Sequence, residues 1–306
     1  APAKPGITVF EDFDLAELVS RFDWKPFFET WELHGRFPDI LKDEKVGETA
    51  RSLYEDAQAM LKRIVDEKWF KPRAVVGIWP ANSVDDDIEV TPAPDHNEPV
   101  MLRTLRQQMF RENNKRPNRA LADYIAPKDS GKTDYIGGFV VTAGPQVEEI
   151  ASKLEAEHDD YNAILVKALG DRFAEAFAER MHEHVRKDLW GYASDETLAN
   201  DDLISEKYRG IRPAPGYPAC PEHTEKRTLW QLLDANKNVG VELTESCAMT
   251  PASSVSGFYF AHPEAKYFGL GKIERDQVES YAERKGMTMT EAERWLAPNL
   301  NYDPRR

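Results

Sequence analysis

The sequence predicts an α+β fold built on an antiparallel sheet. Apolar segments of strand length are grouped, with one group near residues 74–90, one at residues 135–142 and one between residues 241 and 273. Helical periodicity fills the stretches between these groups. Strands that come in groups, without strict βαβ alternation, favour an antiparallel sheet. No G-x-G-x-x-G follows a predicted strand, so a doubly wound nucleotide-binding sheet is not supported.

Two patterns of apolar residues, helical spacing and short continuous runs, define the individual elements. Apolar residues at helical spacing predict short helices within residues 15–41 and longer ones at 47–69, 164–190, 275–284 and 290–296. Short apolar runs predict strands at 74–79, 88–90, 135–142, 241–249 and 255–261, and residues 266–273 are expected to return antiparallel after a turn. Thr290 and Glu293 fit a capping box at the start of the last helix.

Composition limits the class of protein. The 306 residues, 41% hydrophobic and 31% charged, are typical of a globular protein with one large domain or two ordinary ones. No apolar run is long enough to cross a bilayer and no signal peptide is evident, so no membrane partner is expected. Two cysteines indicate a reducing, cytoplasmic environment. The net charge of −14 argues against a broad nucleic-acid surface.

A proline-rich stretch, Arg209–Lys226, is the most informative segment of the chain. Pro213, Pro215, Pro218 and Pro221 exclude helix and central strand because they fix φ and lack an N–H. The remaining conformation is a stiff, extended loop that exposes backbone groups. Such a loop is either a ligand site on a rigid scaffold or a crossover between helices, and composition alone favours neither.

Metal and nucleophilic chemistry have weak support in this loop. Cys220, Glu222 and His223 form one close group, without the paired spacing of a structural zinc site. The plainer interpretation is that residues 222–225 begin a helix with Thr224 near its N-cap. Cys220 has no general base at a recognisable spacing. We therefore expect no metal site and no catalytic side chain.

The loop resembles the S-adenosylmethionine-binding loop in the activation (reactivation) domain of cobalamin-dependent methionine synthase. The resemblance extends over nearly the whole chain, from residues 23–28 to residues 295–302. Its other landmarks, in order, are Val75–Asn82 (VVGIWPAN), Lys167–Arg172 (KALGDR) and Val255–Phe260 (VSGFYF). So many motifs in the same order make coincidence a poor explanation.

The resemblance implies a single domain with a twisted antiparallel sheet and surrounding helices. Residues 1–10 would be a linker from an upstream module, and residues 11–306 the S-adenosylmethionine-binding activation domain. Its implied function is to supply S-adenosylmethionine as methyl donor for reductive remethylation of cob(II)alamin, as part of methionine biosynthesis. Cobalamin would be carried by another domain, and zinc would belong to an absent homocysteine module. The isolated domain, a cytoplasmic monomer, would not make methionine.

The ligand needs three kinds of partner, and the resemblance implies which residues supply them. Its α-carboxylate suits the planar donor fork of an arginine, which Arg212 provides. Its ammonium needs a carboxylate, assigned to Asp23, whose alternative role is a helix cap. The adenosyl group needs backbone and aromatic contacts, from Ala214, from Tyr217 at the mouth of the site, and from Tyr267 and Phe268, for which ordinary strand packing is the alternative.

Partner surfaces are predicted in two places. Asp171 and Glu175 are one turn apart on a polar helix face that also carries or borders Arg172, Glu179, His182 and Arg186. This face is either solvated or, by the resemblance, a docking surface for the cobalamin-binding domain. The electron donor would be flavodoxin or a flavoprotein reductase. An acidic donor would require a local basic surface, and the candidates are Arg103, Arg106, Arg111, Lys115, Arg116 and Arg119.

Two other functions remain compatible with the sequence. A free-standing S-adenosylmethionine-dependent methyltransferase would need an acceptor pocket and a base. A regulatory or interaction module would need no catalytic group, and a pure interaction module would not bind the ligand.

Overall fold

A six-stranded antiparallel sheet is the centre of the molecule in the computed structural model, which describes residues 1–92, 98–110 and 117–304. The main strands run in the order β4, β3, β2, β5 and β8, and β1 pairs with the first half of β2. The strands are β1 (Gly6–Phe10), β2 (Arg73–Val84), β3 (Asp87–Val90), β4 (Val100–Arg103), β5 (Asp134–Thr142) and β8 (Ser254–Tyr259); β6 (Glu242–Leu243) and β7 (Met249–Thr250) form a separate hairpin.

Helices cover both faces of the sheet. They are α1 (Leu15–Val19), α2 (Lys25–Thr30), α3 (Gly47–Asp66), α4 (Gln146–Ala156), α5 (Asp160–His184), α6 (Asn200–Ile204), α7 (Glu225–Leu233), α8 (Ala235–Val239), α9 (Arg275–Lys285) and α10 (Met289–Trp295). The last turn of α5 continues as a π-helix, Val185–Leu189. Within the described ranges, no helix is long and apolar enough to cross a membrane.

Burial on both faces explains why the central strands read as continuous apolar runs. Along β2, Val76 and Ile78 pack into the core formed with α1–α5, whereas Val75 and Trp79 pack into the core formed with α7 and α8. A strand with helices on both sides has no solvated face and therefore no alternation. A smaller third core joins α9 and α10 to residues 270–273 and Leu105.

The predicted fold class is confirmed: this is one α+β domain with a curled antiparallel sheet and surrounding helices. The helices predicted at 47–69 and 164–190 are present, the second with its π turn. The assignment of residues 1–10 to a linker is wrong for Gly6–Phe10. These residues form β1, and its register with Ala74–Ile78 makes them part of the sheet.

Two strand predictions are wrong. Residues 241–249 form a tight hairpin, because Thr244 and Ala248 close a turn in which Cys247 has a positive φ of 61°. Residues 266–273 form no strand. Their backbone bonds lead elsewhere: the Leu270 N–H donates to Pro218 and the Ile273 N–H to Asn299. Apolar content was a poor guide here because it reflects packing against loops and the third core.

The capping box at Thr290 and Glu293 is also wrong. Thr288 is the N-cap of α10, and its hydroxyl accepts a hydrogen bond from the N–H of Glu291 at 3.2 Å. The same S/T-x-x-E pattern occurs two residues earlier in the sequence, so the motif was correct in kind and misplaced in position.

The two threonines give a matched test of this helix start. Thr288→Ala should lower the free energy of unfolding by about 1 kcal/mol, because a backbone N–H loses its cap. Thr290→Ala, equally exposed, should change it by less than about 0.5 kcal/mol. Urea denaturation of both variants measures the difference. Equal effects would contradict the assignment of Thr288 as the cap.

Candidate functional site

The proline-rich loop extends the sheet beyond β8. Ile211 and Phe260 exchange two backbone hydrogen bonds of 3.0 Å, and the Phe258 N–H donates to the Pro213 carbonyl at 2.9 Å. Close approach requires glycine on both sides. A Cβ on Gly210, whose φ is +84°, would lie 2.4 Å from the Phe260 oxygen, and one on Gly257 would lie 2.8 Å from the Pro213 oxygen. The loop is thereby fixed to the sheet.

Beyond Pro213 the loop turns back on itself. The Tyr217 N–H donates to Ala214 at 3.1 Å, and the Gly216 N–H donates to Cys220 at 2.7 Å. The Ala214 N–H has no acceptor among the residues that the structure describes. It is therefore available to a ligand.

The segment at residues 266–273 closes the opposite side of the loop. Leu270 donates its N–H to Pro218 at 2.7 Å, and the Gln107 side chain donates to the Gly269 carbonyl at 2.6 Å. The Tyr267 hydroxyl accepts from the Arg212 N–H at 3.0 Å and lies 3.1 Å from the Tyr208 hydroxyl. Tyr267 thus holds the loop where a regular strand was expected.

A cavity of about 590 Å³ lies between these segments. Five of the six predicted ligand-binding residues line it: Arg212, Ala214, Tyr217, Tyr267 and Phe268. Tyr217 is 63% exposed, which places it at the mouth. The floor is formed by Phe139 of β5 with Val255 and Ser256 of β8.

Asp23, the sixth residue, lines an adjoining cavity of about 410 Å³ between α2, α5 and α6. The two cavities share Glu175, Glu206 and Arg212 as lining residues, so they border each other, with Arg212 at the junction. The Asp23 carboxylate also accepts from the N–H of Lys25, the first residue of α2, at 3.0 Å, although the N-cap residue of this helix is Trp24. Both roles considered for this residue are therefore compatible with its position.

Arg212 is held by buried polar groups. Its Nη2 lies 2.7 Å from Glu179 Oε2, and its Nη1 donates to His182 Nδ1 at 3.2 Å and to the Tyr208 hydroxyl at 3.3 Å. Burial acts to lower the pKa of Arg212, but Glu179 and the hydroxyls of Tyr208 and Tyr267 outweigh it, and the pKa is raised. The site therefore keeps a permanent positive charge at the junction.

The polar face of α5 differs from its prediction. Glu179, His182 and Arg186 were expected on or beside a solvated or docking face, but all three are buried. Arg186 pairs with Glu196 at 2.6 Å, and its guanidinium stacks over the Tyr208 ring at 4.5 Å. Their burial was not evident from the sequence, because their partners lie outside the helix: Glu196 is 10 residues from Arg186, and Arg212 is 30 residues from His182.

The two proposed docking carboxylates, Asp171 and Glu175, differ in their surroundings. Both are exposed on α5. Asp171 lies outside both cavities and accepts a hydrogen bond from the Ser253 hydroxyl at 2.8 Å. Glu175 lines both cavities, so it also faces the candidate ligand site.

Sequence reasoning missed Glu206 and Ser256. Glu206 has a positive φ of 55° and lies at the junction, where burial raises the pKa of its carboxyl although Arg212 acts against it. The Ser256 hydroxyl is buried with no partner among the described residues. Ser256 lies inside a motif that carried the resemblance, which could have marked it; Glu206 had no comparable signal.

The remaining candidates lie outside the site. Residues 222–225 do lead into α7 with Thr224 as its N-cap, and burial raises the pKa of the Cys220 thiol. In the described ranges no three His, Cys, Asp or Glu residues are grouped to hold a metal ion. A groove of about 690 Å³ near Asp85 and Lys128 holds none of the predicted site residues.

In the described part of the basic segment, residues 103–119, the charges of two arginines are neutralised by aspartates. Arg103 pairs with Asp87 at 2.7 Å. Arg106 pairs with both Asp86 at 2.6 Å and Asp123 at 2.7 Å. Arg119 is half-buried, and the other three candidates, Arg111, Lys115 and Arg116, lie outside the described residues.

A partly apolar cleft with a few convergent polar groups is typical of a small-molecule-binding domain, and fold and site together define this class. The chain belongs to the family described as vitamin B12 dependent methionine synthase, activation domain, whose model matches residues 14–286. A solved structure of the MetH reactivation domain bound to AdoHcy (S-adenosylhomocysteine) superposes with a TM-score of 0.94. It is 54% identical, and the match covers 99% of this chain and 92% of that one. The resemblance predicted from the sequence is confirmed.

Proposed function

We propose that this domain binds S-adenosylmethionine in the two adjoining cavities and acts as the reactivation module of a cobalamin-dependent methionine synthase. The observation that carries the proposal is the position of Arg212, a fixed cation between an aromatic cavity and a second cavity lined by charged side chains of both signs. The 54% identical reactivation domain, bound to AdoHcy, supports the same ligand class.

Each part of the ligand has a matching surface. The Arg212 guanidinium suits the α-carboxylate, and Asp23 in the adjoining cavity suits the ammonium. The adenosyl group fits the larger cavity, where the Ala214 N–H is available and Tyr217, Tyr267 and Phe268 provide aromatic surface. Glu175 and Glu206 at the junction add negative charge, which favours the sulfonium cation over a neutral thioether.

The protein's contribution to the reaction is positioning. S-adenosylmethionine would supply the methyl group, and cobalamin carried by another domain of the same enzyme would supply the accepting chemistry. This chain binds the donor, orients it and holds its charged end away from the reacting methyl. The isolated domain should therefore not form methionine.

A free-standing methyltransferase is less well supported. Such an enzyme needs a general base beside an acceptor pocket. In this site, the titratable groups either contact Arg212 or are assigned to binding the charged parts of the ligand, so none is set aside as a base. The family match also favours the reactivation module.

Reductive reactivation also needs an electron donor. We infer an acidic flavoprotein, flavodoxin or a flavoprotein reductase. The pairing of Arg103 and Arg106 with aspartates weakens the basic segment as its docking site, because neutralised arginines contribute little to steering.

Substitution of Arg212 tests the ligand site. Arg212→Ala should weaken S-adenosylmethionine binding by roughly 1.5–3 kcal/mol, the scale of a hydrogen bond to a charged group. Arg212→Lys should also lose affinity, because an ammonium lacks the planar fork. Arg209→Ala is the matched control: Arg209 belongs to the same loop but lines neither cavity. Isothermal titration measures all four proteins, and unchanged affinity in a folded Arg212→Ala variant would remove Arg212 from the site.

Substitution of the two carboxylates on α5 tests domain docking. Asp171→Asn should leave S-adenosylmethionine affinity unchanged in the isolated domain and slow the recovery of full-length enzyme from cob(II)alamin roughly threefold to tenfold, about 0.7–1.4 kcal/mol of docking free energy. Glu175→Gln should slow recovery and also weaken the ligand by up to about 1 kcal/mol, because its charge lies at the cavity junction. Recovery of the Asp171→Asn enzyme at the normal rate would return this residue to a solvated surface.

A further inference from the structure

His182 lies directly behind the ligand-facing arginine. Its side chain is fully buried on α5, one turn after Glu179. The imidazole stacks on Tyr259 with ring centres 5.1 Å apart and meets the edge of Tyr208 at 4.7 Å. These contacts fix the plane of the ring, and its Nδ1 lies 3.2 Å from Arg212 Nη1.

The chemistry of this contact defines the tautomer. A guanidinium only donates hydrogen bonds, so Nδ1 must carry a lone pair and the ring proton must be on Nε2. A protonated ring would place a third cation among Arg186 and Arg212 in a buried site. Burial, with these two arginines, holds the pKa of His182 well below its usual value. The histidine is therefore a neutral acceptor.

The pattern of partners determines which donors of Arg212 remain. His182 and Tyr208 occupy Nη1, and Glu179 lies against Nη2. Nε has no acceptor among the residues that the structure describes. The Nε edge of the planar fork is therefore left for an incoming carboxylate.

We propose that His182 is a positioning residue that orients Arg212 for the α-carboxylate of S-adenosylmethionine. This inference rests on the proposed function of the site. An arginine side chain has many rotamers, and fixing it before the ligand arrives removes part of the ordering cost of binding. Glu179 alone supplies charge, but a single ion pair leaves the guanidinium free to rotate. His182 and Tyr208 are the acceptors on Nη1, and together with Glu179 on Nη2 they determine the orientation.

Paired substitutions isolate the acceptor. His182→Phe keeps an aromatic ring between Tyr208 and Tyr259 but removes the lone pair. His182→Asn places an amide oxygen near the Nδ1 position. We expect the phenylalanine variant to bind S-adenosylmethionine roughly three- to tenfold more weakly, the range of one hydrogen bond, and the asparagine variant to bind within about twofold of the wild type. Near-UV circular dichroism establishes folding. If the phenylalanine variant does not fold, His182→Gln replaces it, because its amide reaches the Nε2 position and leaves Nδ1 without a substitute.

A double-mutant cycle separates orientation of Arg212 from general packing. In the Arg212→Ala background, His182→Phe should cause no further loss of affinity, because its effect passes through the arginine. An equal loss in both backgrounds, or wild-type affinity in the folded His182→Phe variant, would overturn the role of His182. If the wild-type domain does not bind S-adenosylmethionine at all, the proposed function fails first and the inference falls with it.

Discussion

The pairing of residues 211–213 with β8 is the constraint on which the site depends. Three backbone hydrogen bonds fix the loop to the sheet, and the glycines at 210 and 257 permit an approach that any Cβ would block. Prolines cannot complete a ladder, so the loop leaves the sheet after Pro213 and turns over the cavity. Arg212 lies within the paired stretch. Its side chain therefore starts from backbone that hydrogen bonds hold against the sheet.

Burial of charge is the second constraint, and it links the loop to α5. Arg212 lies against Glu179, and Arg186 against Glu196, in a layer that contains His182 and Tyr208. Burying ions is expensive unless every charge has a partner, and such pairs contribute specificity of geometry more reliably than stability. Removing one partner would leave the other uncompensated. The cost of burying these charges has a function here, because the buried partners hold the Arg212 cation in one orientation.

Much of this molecule could be predicted from sequence, for reasons that differ by element. The helix at 47–66 was predicted by its periodicity and the strand at 134–142 by its continuous apolar run, because both local patterns reflect burial. The loop and the residues of the larger cavity were predicted by resemblance, which carries tertiary information that periodicity lacks. The irregular path of residues 266–273 was missed because its hydrogen bonds go to Pro218 and Asn299, far away in sequence. Burial of Glu179 and His182 was missed for the same reason: their partner, Arg212, lies about 30 residues further along the chain.

The most direct test of the account is a crystal structure of this domain with S-adenosylmethionine. The ligand should span both cavities, with its α-carboxylate on the Nε edge of Arg212, its ammonium toward Asp23 and its adenosyl group against Tyr267 and Phe268. Arg212 should keep its contacts with Glu179 and His182. A ligand bound elsewhere, or an Arg212 side chain released from Glu179 and turned to a new rotamer, would contradict the claim that a pre-oriented arginine organises the site.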